Sequence, residues 1–493
     1  MRYLLTGSEM KIWEKKMMEK YQIPSILLME RAAQSVVREL LSGDYDLHRV
    51  LVICGTGNNG GDGLAIARML KWKGISVDVY LMGNAEKMSG DAKTQLLMYE
   101  AVLGKMVTDP NCSEYTVIVD ALLGIGCNRE VTGERAALIN KVNASAAKVI
   151  AVDVPSGISS DNGKVCGIAV KADATVTFFA EKLGMMLYPG REHCGKIIVE
   201  DLEVSFDETE ECRILTFKEE DLKKLPSRPK DSHKGTFGKV LVIAGSPTIS
   251  GAAYLAGAAA YRMGAGLVKL YTPKENKTAM QTLLPEALLE IYDREIPSKE
   301  QLMQAVDWAD VVVIGPGLGM DPEAEKILEY VIRESEVPLV IDADGLNLLA
   351  KNPNWLYAKR KEIIITPHIL EMARLLGESK ENVKEHAMEI AENFVNKYPV
   401  TLILKDTRTL VAKEGEFLYV NTSGNSGMAT GGSGDVLAGI VGGLLAQGML
   451  PVEAARLAVY LHGLSGDHAA QKKGVYAMTA RDILEGMIEV TKV

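Results

Sequence analysis

The sequence predicts an α/β protein of two domains, and three observations lead to this prediction. The chain has 493 residues, which is too long for a single hydrophobic core. Short apolar runs alternate with helix-length stretches in both halves, a pattern typical of parallel sheets covered by helices on both faces. An acidic and then Pro-containing stretch interrupts the alternation between residues 205 and 229. We therefore predict domains at residues 1–210 and 226–493, joined by a linker at residues 211–225.

The predicted elements follow from the spacing of apolar residues. Helix-like spacing predicts helices at residues 25–41, 64–72, 251–266 and 436–446. Strands of the first half are predicted at residues 50–54, 77–81, 116–120, 148–153 and 174–178. Those of the second half are predicted at residues 239–244, 267–271, 310–314, 338–342, 362–366 and 400–404, with a hairpin of 409–412 and 417–420.

Composition narrows the classes of function. A formal net charge of −10 without a long basic run argues against a general nucleic-acid binder. The most apolar helix candidate has about half the length needed to cross a bilayer, so we expect no membrane span. None of the six cysteines forms a CxxC pair, which favours free thiols and a cytoplasmic location. We also expect the chain to form a homo-oligomer.

A glycine-rich segment at residues 55–63 (GTGNNGGDG) follows a predicted strand and precedes a helix. Backbone NH groups of such a turn and of the helix start bind phosphate groups. The spacing is neither GxGxxG nor a Walker A loop. Five glycines with Asn58, Asn59 and Asp62 exceed what a tight turn alone requires. We therefore favour a binding role.

Two further strands of the first half end in acids, Asp120 and Asp153, and Ser156 follows the second. Ligands of open parallel sheets bind beyond the carboxyl ends of the strands. Each acid alone could cap a turn or helix. As a set with Asp62, they predict one converging site.

The second half carries a longer glycine-rich segment at residues 425–435 (NSGMATGGSGD), which opens an apolar helix. Such a loop can wrap a polyphosphate, while the helix N-terminus stabilises its charge. Asp435 is an anion in an anion site, so we interpret it as a general base rather than a helix cap. His368 follows a buried strand, which favours ligand contact. Residues 405–409 (KDTRT) offer cations and hydroxyls to phosphates, or simply open the hairpin.

The motifs GTGNNGGDG, VDALLGIG and VDVPSG make residues 1–210 resemble the YjeF N-terminal family of NAD(P)H-hydrate epimerases. The resemblance implies a Rossmann-like three-layer αβα domain with a potassium ion on Asn59, Asp120 and Ser156. The substrate contacts that it implies are Asn58, Asn59, Gly60, Gly61, Asp62, Gly124, Ile125, Gly126, Cys127, Asn128, Arg129, Glu130 and Asp153.

Hydrated NAD(P)H carries a hydroxyl at C6, on a carbon bonded to the ring nitrogen. Nitrogen-assisted loss of that hydroxyl gives a planar iminium ion that water can attack from either face, which requires an acid/base group. Asp153 is our first candidate and Lys182 the second. Lys182 could instead be a solvated surface cation.

The motifs KGTFG, GAGLV, GPGLG, DADGLN, TPH and GGSGDVLAG make residues 226–493 similar to ADP/ATP-dependent NAD(P)H-hydrate dehydratases of the ribokinase-like superfamily. The resemblance implies a ribokinase-like αβα domain that phosphorylates the C6 hydroxyl and expels phosphate, with ADP or ATP and magnesium as cofactors. It places Ala253, Gly317, His368 and Asp435 on the substrate. The implied nucleotide contacts are Lys405, Asp406, Thr407, Arg408, Thr409, Asn425, Ser426, Gly427, Met428, Ala429, Thr430, Gly431, Gly432, Ser433 and Gly434. Asp406 stands where glycine is frequent, which leaves the choice of nucleotide open.

Three functions follow from these patterns. The first is metabolite repair of hydrated NADH and NADPH: the N-terminal half epimerises the R and S forms, and the C-terminal half dehydrates the S form. The second is a ribokinase-like small-molecule kinase with an accessory N-terminal binding domain. The third makes the N-terminal half a protein-binding scaffold, against which the retained NNGGDG motif and Asp153 argue.

Overall fold

The structure is a computed structural model that describes residues 1–88, 90–204, 212–294, 298–358 and 361–492. The chain divides into two compact units. One comprises Tyr3–Ile214, and the other comprises Leu215–Val493 together with Met1–Arg2. The division falls inside the predicted linker, which contains a short strand and a 3₁₀ turn, Glu219–Lys224.

The elements of the N-terminal unit are, in chain order, β1 (Arg2–Leu5), α1 (Gly7–Tyr21), α2 (Ser25–Ser42), β2 (Val50–Cys54), α3 (Asn58–Trp72), β3 (Val77–Leu81), α4 (Gly90–Ala101), β4 (Lys105–Met106), β5 (Val117–Ala121), α5 (Gly133–Asn143), β6 (Lys148–Val152), β7 (Ala174–Phe178), β8 (Glu181–Lys182), α6 (Leu183–Met186) and β9 (Lys196–Glu200).

Seven strands of this unit form a sheet in the order β4-β3-β2-β5-β6-β7-β9, and its neighbouring strands run parallel. The five strands predicted for this half are confirmed. β9 has no counterpart among the predictions because its apolar run is only three residues long and lies between the charged residues Lys196 and Glu200. The strand order reverses between β2 and β5, and ligands bind at such a reversal in open α/β sheets.

Helix α3 begins at Asn58, so the prediction that a loop extends to Gly63 was wrong. The glycines lie in the first turns of the helix because larger residues would collide with the sheet. A Cβ on Gly60 would lie 1.9 Å from the Gly55 carbonyl oxygen, and one on Gly63 would lie 2.6 Å from Ala121 Cβ. The glycines thus bring the helix N-terminus directly onto the ends of β2 and β5.

The elements of the C-terminal unit are β10 (Ile214–Thr216), which begins at the division, β11 (Lys239–Ile243), α7 (Gly251–Arg262), β12 (Leu267–Pro273), α8 (Lys277–Leu283), β13 (Leu288–Tyr292), α9 (Lys299–Trp308), β14 (Val311–Ile314), α10 (Pro322–Glu334), β15 (Leu339–Ile341), α11 (Asp344–Leu349), β16 (Ile363–Ile365), α12 (Ile369–Leu376), α13 (Lys380–Glu385), α14 (Ala387–Lys397), β17 (Thr401–Leu404), β18 (Leu410–Ala412), β19 (Leu418–Val420), α15 (Ser433–Ala446), α16 (Pro451–Lys473) and α17 (Ala480–Val490).

The strands of this unit run in the order β13-β12-β11-β14-β15-β16-β17-β18-β19-β10. Their sheet is parallel from β13 to β17, and β18 and β19 continue it in antiparallel fashion. The six predicted strands and the hairpin are confirmed, whereas β13 was not predicted. The order reverses between β11 and β14, which again defines a ligand-binding edge.

Helix α15 begins at Ser433 rather than at residue 436, because Gly432 adopts a left-handed conformation with φ of +91° and starts the helix early. From Val436 to Leu445 the helix is buried. In the described part of the chain, no helix combines the length and the apolar character that crossing a membrane requires. All six cysteines are free thiols.

Candidate active sites

The N-terminal unit contains a cavity of about 470 Å³ at the reversal point of its sheet. Helices α1, α2 and α3 and the segments after β2, β5 and β6 surround it. The predicted site residues that line the cavity are Asn58, Asn59, Gly60, Asp62, Gly124, Ile125, Gly126, Cys127, Asp153 and Lys182. The structure therefore brings together most of the residues that the sequence placed in one site.

Four predicted substrate contacts do not line the cavity. Gly61 is buried against Met29 of α2, where a Cβ would lie 2.8 Å from the Met29 methyl carbon. Asn128, Arg129 and Glu130 are exposed. Their contact with a bound substrate stays a prediction.

Lys182 is held inside the protein by three hydrogen bonds. Its Nζ donates to Asp153 Oδ1 at 2.6 Å, to Thr177 Oγ1 at 2.8 Å and to the Phe178 carbonyl oxygen at 2.8 Å. Only 1% of the side chain is exposed. The alternative that Lys182 is a solvated surface cation is therefore wrong.

Asp153 occupies a strained backbone position at the end of β6. Its φ of +67° lies in the left-handed region, which costs a non-glycine residue on the order of 1–3 kcal/mol. Thr177 Oγ1 donates to the same carboxylate oxygen at 3.1 Å. The strain and the two hydrogen bonds aim this carboxylate at the cavity instead of at a helix N-terminus.

Three more carboxyl residues line the same cavity: Asp62 of α3, Glu14 of α1, and Asp91 of α4, which accepts a hydrogen bond from Ser25. Burial raises the pKa of Asp62 well above its usual value, and the charges of Asp153 and Glu14 raise it further. Burial also raises the pKa of Glu14, with a further contribution from Asp153 that Lys182 partly opposes. The cavity thus concentrates acidic groups that hold protons more tightly than usual.

The three residues predicted to bind potassium lie behind the cavity or at its edge. Ser156 Oγ donates to Asp120 Oδ1 at 2.6 Å, and the Ser156 NH donates to Asp120 Oδ2 at 2.8 Å. Asp120 is 2% exposed, and burial raises its pKa against the opposing effect of these hydrogen bonds. Asn59 packs near Gly124 and leaves its buried Nδ2 without a partner in the described residues.

In the C-terminal unit a second buried Asp–Lys pair joins two strand ends. Lys405 Nζ, after β17, donates to Asp342 Oδ1, after β15, at 2.6 Å. Asp342 is 1% exposed and the Lys405 side chain 19%. Burial by itself would lower the pKa of Lys405, but the charges of Asp342 and Glu371 outweigh it and raise the pKa.

Asp435 faces this pair from the first turn of α15. Burial and the negative charge of Asp342 raise the pKa of Asp435 to about 7, and the positive charge of Lys405 partly offsets this increase. Helix α15 begins without a side-chain cap, so Asp435 does not serve as one. A carboxylate with a pKa near neutrality at a helix N-terminus has the properties of a general base.

The glycine-rich loop from Asn425 runs into the first turn of α15, and that turn lies over the Asp–Lys pair. A Cβ on Gly434 would lie 3.2 Å from Lys405 Nζ and 3.5 Å from Asp342 Oδ2. At the start of the loop, Asn425 Nδ2 donates to Asp467 Oδ1 at 2.9 Å, beside an open pocket of about 600 Å³. The loop therefore lies between this pocket and the Asp–Lys pair.

His368 caps helix α12 as well as facing the site. Its Nδ1 accepts from the NH groups of Leu370 and Glu371, both at 3.1 Å, and its Nε2 lies 3.5 Å from Glu371 Oε1. The pKa of His368 is lowered by burial and by Lys405. A neutral imidazole with a half-exposed edge can still contact a ligand.

The remaining predicted residues are positioned as follows. Residues 405–409 form the connection of the β17–β18 hairpin, in which Arg408 Nη1 donates to the Thr422 carbonyl oxygen at 2.9 Å. Gly317 has a φ of +60° and packs against Ile249. Ala253 is completely buried in α7. The ligand contacts of these residues stay predictions.

Four side chains near the two sites were missed from the sequence: Glu14, Asp342, Glu371 and His462. Asp342 follows a buried strand, a signal that the sequence contains in the segment VIDADG. Glu371 occupies the third position of α12 in a capping box with His368, and burial raises its pKa to about 7. His462 Nε2 lies 3.3 Å from Ser433 Oγ, and burial lowers its pKa to about 4. No motif marks Glu14 or His462.

The fold and the sites define a class of protein. Each unit is a doubly wound α/β fold with a glycine-rich helix start beyond the carboxyl ends of its strands, and each has a buried Asp–Lys pair beside that helix start. Helix starts of this kind bind phosphate groups. The class is therefore a two-domain enzyme that acts on phosphorylated ligands.

Comparison with known proteins identifies the family. The family model for YjeF-related protein N-termini matches residues 25–184, and that for NAD(P)H-hydrate dehydratase matches residues 240–489. The bifunctional NAD(P)H-hydrate repair enzyme Nnr of Moorella thermoacetica is 38% identical over 98% of this chain and 95% of its own length. The Escherichia coli enzyme of the same name is 37% identical over 92% of this chain and 87% of its length. This chain belongs to the family of bifunctional NAD(P)H-hydrate repair enzymes.

A solved structure supports the assignment of the C-terminal unit. The ADP/ATP-dependent NAD(P)H-hydrate dehydratase from Bacillus subtilis, co-crystallised with ATP and Mg²⁺, matches with 29% identity and a TM-score of 0.51. The match covers 56% of this chain and 97% of the Bacillus subtilis chain. Of the three functions that the sequence left open, the family membership selects the repair enzyme.

Proposed function

We propose that this chain restores hydrated NADH and NADPH, with epimerisation at C6 in the N-terminal unit and nucleotide-dependent dehydration of the S epimer in the C-terminal unit. The observation that carries the proposal is the repeated juxtaposition of a glycine-rich helix start with a buried Asp–Lys pair and further carboxyl groups. The helix start fits the phosphates of a dinucleotide or nucleotide. The carboxyl groups fit proton transfer at the ring carbon.

In the N-terminal unit, Asp153 moves a proton at the C6 oxygen. Loss of the hydroxyl is assisted by the ring nitrogen and gives a planar ion. Lys182 orients Asp153 through the 2.6 Å hydrogen bond and keeps its charge partly compensated inside the cavity. Water that attacks the other face of the ion produces the other epimer.

In the C-terminal unit, Asp435 takes a proton from the C6 hydroxyl, whose oxygen attacks the terminal phosphoryl group of the nucleotide. The phosphorylated hydroxyl is a better leaving group than hydroxide, and the ring nitrogen drives its expulsion. Lys405 and the NH groups at the start of α15 stabilise the negative charge of the phosphates. Because Lys405 has two protons left after its bond to Asp342, it can serve both partners.

The oxygen atoms around Asp120 fit a monovalent hard cation. Asp120 and Ser156 supply oxygen ligands, the Leu123 carbonyl oxygen lies 3.2 Å from Ser156 Oγ, and the side-chain oxygen of Asn59 lies beside Gly124. The described part of the chain places no lysine or arginine against the Asp120 carboxylate. We propose that Asn59, Asp120 and Ser156 hold potassium, which would supply a fixed positive charge beside the substrate. Replacing potassium by tetramethylammonium should then lower epimerase activity and leave the dehydratase unchanged.

Magnesium bound to the nucleotide fits the second site. Asp342, Glu371 and Asp435 together carry more negative charge than the single cation Lys405 offsets when all three are ionised. A divalent cation supplies charge neutralisation of the phosphates in phosphoryl transfer. Carboxylate oxygens are the ligands that such a cation prefers.

We further infer a reducing compartment such as the cytoplasm, because all six cysteines are free and five of them are buried. The homo-oligomer stays a prediction.

The test uses purified R and S epimers of hydrated NADH, each mixed with the protein and either ADP or ATP with magnesium. Recovery of NADH absorbance from the S epimer, and from the R epimer only when the N-terminal unit is active, is the expected result. Accumulation of a stable phosphorylated product without NADH would show a kinase instead. Asp153→Asn should abolish the recovery of NADH from the R epimer. It should leave the recovery from the S epimer unchanged, because the S epimer is a direct substrate of the C-terminal unit.

A further inference from the structure

A helix that the matched family segment leaves out forms one wall of the epimerase cavity. The matched segment begins at residue 25, whereas α1 spans Gly7–Tyr21. Met10, Lys11, Glu14 and Met18 of α1 line the cavity. Glu14 lies four residues after Met10, three after Lys11 and four before Met18, which places them on one face of the helix. Helix α1 therefore contributes a continuous strip to the site.

Several contacts fix α1 within the N-terminal unit. Thr6 and Glu9 form a capping box at its start, and the Ser8 NH donates to Asp161 Oδ1 at 3.3 Å. Trp13 packs on the ring of Phe179, with 4.9 Å between the centroids. Phe179 follows Phe178, whose carbonyl oxygen binds Lys182. The residue after Trp13 is Glu14, so its position relative to the Asp153–Lys182 pair is set by packing.

Glu14 has no structural role that explains a carboxyl group in this cavity. It forms no hydrogen bond or ion pair with the described residues, although its neighbours on α1, Glu9 and Glu19, both do. Its charge interacts with those of Asp153, Asp62 and Lys182. A partly buried carboxyl without a partner costs stability unless a ligand uses it.

Epimerisation needs proton transfer on both faces of the C6 carbon. The hydroxyl leaves from one face with a proton, and the water that replaces it on the other face gives up a proton. Asp153 is bound to Lys182 and Thr177 at the ends of the strands, so its carboxylate lies on the sheet side of the cavity. The other face requires a group from a different wall of the cavity.

We propose, on the basis of the proposed epimerase function, that Glu14 of α1 is the second catalytic acid/base and serves the face of C6 that Asp153 does not. The carboxylic acid of Glu14 donates its proton to the C6 hydroxyl. The C6–O bond breaks, its electron pair leaves with the oxygen as water, and the ring nitrogen lone pair forms the C=N bond of the iminium ion. A water oxygen then attacks C6 from the Asp153 side, its proton passes to Asp153, and the C=N electron pair returns to nitrogen. The reverse sequence exchanges the two roles, and nothing is oxidised or reduced.

The experiment separates inversion from exchange of the C6 oxygen. Each epimer of hydrated NADH is incubated in H₂¹⁸O with the full-length protein, and chromatography with mass spectrometry measures epimer ratio and label, after subtraction of a protein-free sample. The wild type should interconvert the epimers and label both. Glu14→Gln should slow interconversion by at least about 100-fold, while one epimer still exchanges its oxygen with retention through Asp153. Asp153→Asn should show the same behaviour for the opposite epimer.

Controls distinguish catalysis from folding. Glu19→Gln removes an exposed carboxyl from the same helix and should change neither rate. Glu14→Asp keeps a carboxyl group and should retain both inversion and exchange at a reduced rate. This variant tests the proposal even if Glu14→Gln does not fold. The thermal unfolding midpoint of each variant is measured alongside.

Three results would overturn the proposal. In the first, Glu14→Gln leaves inversion unchanged. In the second, inversion and exchange fall together in both epimers. In the third, Asp62→Asn rather than Glu14→Gln uncouples exchange from inversion. A wild type that interconverts nothing would instead refute the epimerase function itself.

Discussion

Both units contain a buried Asp–Lys pair, but the two lysines differ in how many hydrogen bonds they form and in how exposed they are. In both, a lysine after one strand binds an aspartate after another at 2.6 Å. Lys182 is 1% exposed and bound to three oxygens, whereas the Lys405 side chain is 19% exposed and bound to one in the described residues. Lys182 therefore orients a carboxylate, and Lys405 keeps protons for a ligand. The difference matches a neutral ring carbon as the reacting centre in one unit and a phosphoryl group in the other.

The largest expected effect tests the base of the C-terminal unit. Asp435→Asn should lower the dehydratase kcat by about 1000-fold, because an amide cannot take the proton of the C6 hydroxyl. The measurement follows NADH absorbance from the S epimer with ADP or ATP. The epimerase activity should stay at the wild-type level, and Asp307→Asn, an exposed aspartate of the same unit, should have no effect. Equal loss in both variants would contradict the role of Asp435.

A second prediction compares the two lysines directly. Lys182→Met should lower the free energy of unfolding by about 3 kcal/mol, since it leaves Asp153 without its buried partner. Epimerase activity should fall by about 100-fold. Lys405→Met should instead mainly raise the Kd for ADP and ATP, measured by calorimetry, and leave the epimerase intact. Lys405→Met also leaves the buried Asp342 without its partner, so its free energy of unfolding should fall as well. Unchanged Kd values in Lys405→Met would contradict the comparison.

The pH dependence of the dehydratase gives a smaller effect. A general base must be unprotonated, and burial together with Asp342 raises the pKa of Asp435 to about 7. The dehydratase kcat/KM should therefore fall about tenfold per pH unit below 7 and level off above it. The pKa of Asp435 is about 7 in the folded state and 3.8 as its ordinary value. At pH values between these two, the folded state holds a proton on Asp435 that the unfolded state has lost. The contribution of Asp435 to stability is thus present at low pH and lost as the pH rises through about 7. A flat profile between pH 5.5 and 7.5 would contradict this assignment.

The smallest effect concerns the approach of Gly434, in the first turn of α15, to Lys405. Gly434→Ala would place a Cβ 3.2 Å from Lys405 Nζ, and the flexible end of the lysine can shift by a few tenths of an ångström. We expect a KM for nucleotide a few times higher with kcat within about twofold of wild type. Gly251→Ala, at a glycine of the same unit where a Cβ meets nothing within 4 Å and φ is not left-handed, should leave both constants at the wild-type values.

The sequence predicted the fold well because the central strands are continuous apolar runs. Strands such as β2 and β14 are completely buried and bear no polar residue, so their pattern is unambiguous. Edge strands β9 and β13 were missed because charged residues limit their apolar runs, Lys196 and Glu200 in β9 and Glu290 in β13. The start of α3 was misplaced because glycines and asparagines favour loops locally, and only contact with β2 and β5 explains them in a helix.

Candidate site residues could be predicted where they follow a strand directly in the sequence. They could not be predicted where they lie on a helix that packs over the strand ends. Asp153, Lys405 and the glycine loop of α15 lie at strand or helix ends and could be found from the sequence. Glu14 lies in the middle of α1, in a stretch of alternating acidic and basic residues that reads as a solvated face. Only the tertiary position of α1 shows that one of these charges points into the cavity.

The ring contact between Trp13 and Phe179 gives the N-terminal unit an optical reporter. Trp13 is 6% exposed and adjoins Glu14, whereas Trp72 is exposed at the end of α3 and the other two tryptophans belong to the C-terminal unit. Excitation of a chain in which the other three are replaced by phenylalanine should give emission from Trp13 alone. Its quenching by a hydrated dinucleotide would then follow occupancy of the first cavity in real time, independently of turnover in the second.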